Sequence, residues 1–184
     1  TFGAAMDEGT CRTDDGQLWS ALYPRRWKGG YSGHHWRVLP QKLADGRTRV
    51  ISAVSPWDDS GIKYPAKVIW SEDGGKTWKC LPPLGADFAC VVGFSGMVRL
   101  GDGSYLGVFC RGKNPNGAGG AWRVCGSFSR DGGLTWEKPF DLLSVAGKNL
   151  FLPTVFRSPD GKELCCLVGS LGGKEDAATY ACYS

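Results

Sequence analysis

Five polar side chains have the chemistry to act on an acidic ligand: Arg37, Asp58, Asp59, Arg111 and Arg123. A guanidinium group donates two parallel hydrogen bonds to a carboxylate, whereas a lysine acts only as a point charge. A carboxylic acid beside a reacting bond can transfer a proton. Residues of these types could bind an anionic group or transfer a proton wherever the fold brings them together.

Each of these side chains also has an ordinary structural interpretation. Arg37 and Arg111 could be strand-end arginines, and Asp58-Asp59 is typical of a solvated turn in which a carboxylate caps the backbone. The two interpretations differ in whether the fold brings the side chains to one place. The elements that position them therefore decide between the two.

Composition predicts a folded, turn-rich chain. Of 184 residues, 42% are hydrophobic and 22% charged, and 28 Gly with 10 Pro favour many short strands over long helices. The net charge is +4, and the Lys and Arg residues are scattered along the chain rather than grouped in a basic block, which argues against nucleic acid as a partner. The chain contains no apolar run of membrane-spanning length. No cofactor is predicted.

The eight cysteines are not grouped in C-x-x-C pairs, so we expect no zinc or other metal site. We interpret most of them as small buried hydrophobic side chains. Neighbouring strands could also bring Cys110 to Cys125, or Cys166 to Cys182, and an oxidising compartment would then allow a disulfide.

Two turn markers repeat along the chain with the same period. The segment 71–78 (Ser-Glu-Asp-Gly-Gly-Lys-Thr-Trp) returns 58 residues later as 129–136 (Ser-Arg-Asp-Gly-Gly-Leu-Thr-Trp), and a degenerate copy lies at 12–19. Asp-Gly pairs interleave with these segments, at Asp45-Gly46, Asp102-Gly103 and Asp160-Gly161. A fixed period in this range indicates an array of supersecondary units.

We call segments 71–78 and 129–136 the Ser-x-Asp turns. In such a turn the aspartate accepts backbone N–H bonds, glycine supplies a positive φ, threonine restarts the strand, and tryptophan is buried beside the turn. The predicted structural residues are Ser71, Asp73, Gly75, Thr77 and Trp78, and Ser129, Asp131, Gly133, Thr135 and Trp136.

The middle repeat predicts four antiparallel strands. We assign them to 96–100, 105–110, 122–129 and a segment starting near Thr135. The other repeats place second strands at 49–54 and 163–168 and third strands at 67–71 and 179–184. Four antiparallel strands per repeat form the blade of a β-propeller, so the predicted fold class is all-β.

The pattern Ser-x-Asp-Gly-Gly-x-Thr-Trp resembles the Asp-box, or BNR, repeat of the sialidase (neuraminidase) superfamily. The resemblance implies a six-bladed propeller of roughly 350 residues. Residues 1–184 would then be a fragment of about three blades, running from the third strand of one blade to the third strand of the third unit that follows. An extracellular or periplasmic location is implied in the same way.

The resemblance also implies a function and a site. A sialidase-like exo-glycosidase hydrolyses terminal sialic acid or a related sugar, so the partner would be a glycan. Arg37, in Trp36-Arg37-Val38-Leu39-Pro40, resembles the family's Arg-Ile-Pro motif, and Arg111 resembles a second arginine of the carboxylate clamp. Asp58 or Asp59 would be the acid/base, and Arg123 would also bind substrate. The family's nucleophilic Tyr and its Glu partner have no counterpart that can be assigned in this chain.

Strand order separates the two kinds of loop. The Asp-Gly pairs and Ser-x-Asp turns should share one end of the sheets, and the longer loops that carry the five candidate side chains should share the other. Two further functions stay open at this point: a non-catalytic propeller that binds carbohydrate or protein, and an Asp-box protein of the sortilin or endo-glucanase kind. Oligomeric state is not predicted.

Overall fold

The computed structural model describes residues 2–6, 9–13, 23–24, 32–57, 67–73, 77–84, 88, 92–112, 122–171 and 178–184. Side chains are described from residue 39 onwards, except at 53–57, 83, 92–93 and 171. Within these ranges the regular elements are all β-strands. The predicted all-β class is confirmed.

The described strands form four antiparallel sheets. The first contains β1 (Phe2–Met6), β2 (Gly9–Thr13) and β3 (Tyr23–Pro24). The second contains β4 (Ser32–Lys42), β5 (Thr48–Trp57), β6 (Lys67–Ser71) and β7 (Lys79–Pro83). The third contains β8 (Val92–Arg99), β9 (Tyr105–Arg111), β10 (Arg123–Ser129) and β11 (Phe140–Leu143). The fourth contains β12 (Asn149–Arg157), β13 (Leu164–Leu171) and β14 (Thr179–Tyr183).

In every sheet the strands are paired in chain order, as hairpin-connected strands should be. The leading strands β4, β8 and β12 contact one another in succession. The sheets are therefore stacked side by side with these strands along one inner edge. In the first sheet β2 runs into the degenerate 12–19 copy and pairs with β1. The repeat pattern did not include β1.

The three Asp-Gly hairpins are confirmed. Gly46, Gly103 and Gly161 have φ values of 83°, 87° and 74°, which only glycine adopts freely. Each aspartate also accepts a backbone hydrogen bond from the residue two positions later, as in Ser104 N to Asp102 Oδ1 at 2.9 Å.

The Ser-x-Asp turn at 129–136 is held by its aspartate. The Thr135 N–H and Oγ1–H donate to the two carboxylate oxygens of Asp131 at 2.9 Å and 2.6 Å, and the Ser129 hydroxyl donates at 2.9 Å. The Gly133 N–H donates to Ser129 Oγ at 2.8 Å. The Trp136 indole closes the turn by donating to the Gly133 carbonyl at 3.0 Å.

The turn at 71–78 repeats this arrangement where it is described. The Thr77 N–H and Oγ1–H donate to Asp73 at 2.9 Å and 2.5 Å, and the Ser71 hydroxyl donates to it at 2.7 Å. Gly75 lies outside the described residues. The predicted bonding of the two aspartates is confirmed.

The fourth strand starts later than the sequence predicted. Thr135 belongs to the turn because both of its donors are bound to Asp131, and regular pairing resumes only at Phe140. In the preceding repeat it resumes at Lys79, two residues after Thr77. The prediction that these threonines restart the strand was therefore wrong.

The core consists of layers between neighbouring sheets. One cluster joins the second and third sheets, with Leu39 of β4 and Trp136 packed against it, and contains Phe88, Phe94, Met97, Phe109 and Cys125. The other joins the third and fourth sheets and contains Leu106, Val108, Val124, Leu150, Val155, Cys166 and Val168. The third sheet lies between the two clusters and therefore buries both of its faces, which explains the near-continuous apolar sequence and burial of β9.

We expect Asp131→Asn to make stability less sensitive to acid. Burial raises the pKa of Asp131, but the hydrogen bonds from Thr135, Ser129 and Leu134 outweigh it and hold the pKa below its usual value. At pH values above the unfolded-state pKa of about 3.9, the lowered pKa of Asp131 stabilises the folded protein. This stabilisation is lost as the pH falls through the folded-state pKa. Urea unfolding of the complete protein between pH 7 and 3 should show a shallower decline for the variant, starting on the order of 1–2 kcal/mol lower at pH 7. The exposed Glu163→Gln is the control, and identical pH profiles for Asp131→Asn and the wild type would contradict the assignment.

Candidate functional site

The two ends of the sheets differ in character. The three Asp-Gly hairpins and the two Ser-x-Asp turns lie together, as shown by the closeness of Gly132 to Gln41 and by the 3.0 Å bond from Arg157 to the Arg99 carbonyl of the preceding sheet. We call this the turn end. At the opposite end, which we call the loop end, strand β9 finishes and β10 begins. The Asp-Gly hairpins and Ser-x-Asp turns share one end, as predicted, whereas the loops 58–66, 113–121 and 172–177 lie outside the described residues.

Arg111 and Arg123 lie directly opposite each other at the loop end. They are register partners on β9 and β10, so their side chains leave the same face of the sheet. The pairs Phe109–Cys125 and Gly107–Ser127 continue this face towards the turn end. Because Phe109 and Cys125 belong to the cluster shared with the second sheet, both arginines lie on the face that looks towards the second sheet.

Arg123 has a carboxylate partner on the outer strand of the same sheet. Its Nε lies 2.7 Å from Asp141 Oδ1 in β11, although the N–H is not aligned for a hydrogen bond. The Cys125 thiol lies 3.5 Å from the same oxygen. Burial is the main cause that raises the pKa of Cys125, so this thiol stays protonated at neutral pH. Asp141 thus fixes one of the two guanidinium groups and was missed at the sequence level.

Arg37 lies on an irregularity that recurs in all three leading strands. The register shifts between His35 and Val38 in β4, between Val92 and Gly96 in β8, and between Phe151 and Thr154 in β12. Arg37 is thus the counterpart of Ser95 and Pro153, 58 and 116 residues later. A bulge re-aims side chains and is common beside active sites. The side chain of Arg37 is outside the described part of the structure.

Asp58 and Asp59 lie outside the described residues, but the strand that leads to them is described. β5 ends at Trp57, which pairs with Ser32 at the start of β4. This places the last described residue before the aspartates at the loop end of the second sheet. The second sheet is the one that Arg111 and Arg123 face.

An aromatic pair borders the loop end between the third and fourth sheets. The rings of Trp122 and Phe151 lie 5.7 Å apart, and the Trp122 backbone is fixed by Asn149 Oδ1 at 3.0 Å and the Leu150 N–H at 3.1 Å. The sequence analysis assigned Trp122 to the start of a predicted strand, 122–129, but did not find Asn149 or Phe151. Their counterparts one period earlier, Val91 and Gly93, carry no similar side chains, so the repeat offered no signal.

Two kinds of feature are absent from the described residues. They contain no group of three His, Cys, Asp or Glu side chains that could hold a metal ion. They also contain no helix long and apolar enough to cross a membrane.

Comparison with known proteins identifies the fold. No protein-family model and no curated protein matches the chain. Among solved structures, the endo-arabinase from Bacteroides thetaiotaomicron VPI-5482 is similar with a TM-score of 0.66 and 14% identity, over 97% of this chain and 68% of that one. A protein of unknown function from Dyadobacter fermentans DSM 18053 is similar with a TM-score of 0.64 and 18% identity, over 95% of this chain and 54% of that one. The α-L-arabinofuranosidase Arb93A from Fusarium graminearum is similar with a TM-score of 0.54 and 16% identity, over 82% of this chain and 45% of that one.

The sheets have the arrangement of part of a β-propeller. At 14–18% identity the likeness shows the fold alone. The chain spans 54% of the Dyadobacter protein and 45% of the arabinofuranosidase, about half the length of each. The activities of those proteins therefore do not transfer directly to this chain.

Proposed function

We propose that the complete protein is a glycan-processing enzyme of the propeller type, and that it acts on a sugar bearing a carboxylate. The observation that carries the proposal is the cross-strand pair of Arg111 and Arg123 at the loop end. Two guanidinium groups on one face suit a carboxylate because each can donate parallel hydrogen bonds to it. The Ser-x-Asp turns and the carbohydrate-active enzymes of similar fold support the same class of function.

In its more specific form the proposal is a sialidase-like exo-glycosidase with six blades, in which the Ser-x-Asp turns are Asp boxes. Arg37 would join Arg111 in the clamp, since the bulge on β4 places it at the inner edge of the second sheet. Asp58 or Asp59 would supply the proton. Asp141 would hold Arg123 in place beside Arg111.

The second candidate is a non-catalytic propeller that binds carbohydrate through the same end. The ion pair between Arg123 and Asp141 favours this candidate, because a guanidinium group paired with a carboxylate of the outer strand β11 stabilises the sheet and need not take part in catalysis. The Trp122–Phe151 pair also suits a sugar ring, which stacks on aromatic faces.

Arg111→Lys tests the proposal. With fluorogenic α-sialoside and α-L-arabinofuranoside substrates, the wild type should cleave the acidic one, and the variant should lose about 100-fold in kcat/KM because lysine cannot form the forked bond. Arg130→Lys is the matched control, since Arg130 is exposed at the turn end and paired with Glu137 at 2.7 Å. Cleavage of the neutral substrate alone, unchanged in Arg111→Lys, would contradict the acidic-sugar proposal. Saturable glycan binding without cleavage would favour the second candidate.

A further inference from the structure

The fourth sheet contains two cysteines that face each other across a strand pair. Cys166 on β13 and Cys182 on β14 are direct register partners. Both pack on the cluster between the third and fourth sheets, Cys166 as a buried member and Cys182 from its edge. Their side chains therefore leave the same face, and the two thiols lie close enough that, besides burial, Cys182 raises the pKa of Cys166.

The backbone spacing at this pair suits a covalent bond. The Ser184 N–H donates to the Leu164 carbonyl at 3.1 Å, and hydrogen-bonded pairs alternate along an antiparallel ladder, so Cys166 and Cys182 form the next such pair. Cα atoms in these pairs are about 5.5 Å apart, within the range of about 4.4–6.8 Å found for disulfides, and their Cβ atoms, also about 5.5 Å apart, must approach by about 1 Å for the bond to form.

The other cysteine pair that the sequence suggested, Cys110 with Cys125, does not meet these conditions. Cys110 is opposite Val124 and Cys125 is opposite Phe109, so the two cysteines are offset by one residue and lie on opposite faces of the third sheet. Cys165, the immediate neighbour of Cys166, is opposite Tyr183 and faces the other side of its sheet. The sequence offered Cys110–Cys125 and Cys166–Cys182 as equal alternatives, and the strand register favours Cys166–Cys182.

We propose that Cys166 and Cys182 are a disulfide-forming pair that cross-links β13 to β14 by exchange with a small-molecule disulfide. Both thiols are free in the structure. Cys182 is the more exposed, so its thiolate attacks the external disulfide first and displaces one thiolate. Cys166 then attacks the Cys182 sulfur of the mixed disulfide and displaces the second. The two thiol protons pass to the two displaced thiolates, and two electrons reduce the external disulfide.

The surroundings determine the rate of this reaction. Burial, followed by the neighbouring Cys182 thiol, raises the pKa of Cys166 to about 12. Little Cys166 thiolate is therefore present at neutral pH, and spontaneous oxidation is slow. The bond should form readily only where thiol–disulfide exchange is catalysed or the oxidant is abundant, as in an oxidising compartment.

Peptide mapping of the complete protein after incubation with oxidised glutathione tests the proposal. Trypsin cleaves after Lys162 and Lys174 and separates Cys166 from Cys182. We expect the 163–174 peptide to be linked to the peptide that carries Cys182, and the link to persist in Cys165→Ser but to be absent in Cys166→Ser. The thermal midpoint of the oxidised wild type should exceed that of the reduced form by roughly 5–10 °C.

Two results would overturn the inference. One is complete alkylation of both cysteines after oxidation, which would show that no bond forms. The other is a link that survives in Cys166→Ser and disappears in Cys165→Ser, which would show that the register is different. Because the main measurement uses the wild type, it does not depend on whether a variant folds.

Discussion

Replacing Trp136 with alanine is expected to lower the free energy of unfolding of the complete protein by about 3–5 kcal/mol. The indole is stacked on Phe94, with ring centroids 4.3 Å apart, and its Nε1–H donates to the Gly133 carbonyl at 3.0 Å. The ring also fills the space above Gly107, where a Cβ would lie 2.8 Å from it. Truncation therefore leaves a cavity between the second and third sheets and removes the bond that closes the turn.

Urea unfolding measures this loss, and Trp136→Phe separates its two causes. The phenylalanine keeps most of the stacking but not the Nε1–H donor, so it should cost about 1–2 kcal/mol. Glu137→Ala, at the next and exposed position, is the control for general disturbance of the turn. A loss below about 1 kcal/mol in Trp136→Ala would show that the indole does not anchor the turn.

Asp59→Asn is expected to reduce kcat by roughly 100- to 10,000-fold, with a smaller change in KM, if the complete protein hydrolyses glycans as proposed. An amide cannot transfer the proton but keeps the size and polarity of the carboxyl group. β5 ends at Trp57, the residue before Asp58, at the loop end of the second sheet, and this is the sheet that Arg111 and Arg123 face. A proton donor there would lie beside the group that binds the sugar carboxylate.

Asp58→Asn is the matched variant, because it makes the same chemical change at the adjacent position. Asp59→Asn should lose activity and change the pH profile of kcat/KM, Asp58→Asn should stay close to the wild type in both, and both variants should keep the wild-type thermal midpoint. Full activity in both variants would remove the two aspartates from the mechanism and leave the acid to be found elsewhere.

The repeating turns were predictable from the sequence because each is a local structure. Asp131 bonds residues at most four positions away, and Gly103 adopts its positive φ for the needs of its own hairpin. The period of 58 residues then follows from identical units, each with the same turns. The start of β11 was mispredicted because Thr135 could belong to a strand or to the turn, and its two bonds to Asp131 decide for the turn.

The candidate site could be predicted only in part. The sequence located Arg111 and Arg123 on adjacent strands, but their position opposite each other depends on the register of β9 with β10. Asp141 follows Arg123 by 18 residues, and nothing local connects them before β11 pairs with β10. Residue types therefore indicated the chemistry, whereas the pairing decided which charges meet.

The sequence by itself determined the all-β class, the repeating unit and the turns that separate its strands, because backbone geometry and bonds within a few residues control them. Only the tertiary structure decided that Cys166 faces Cys182 while Cys110 does not face Cys125, and that a bulge recurs at Arg37, Ser95 and Pro153. A shift of one residue in strand register moves every side chain to the opposite face. That register is fixed by packing between whole sheets, which no short segment contains.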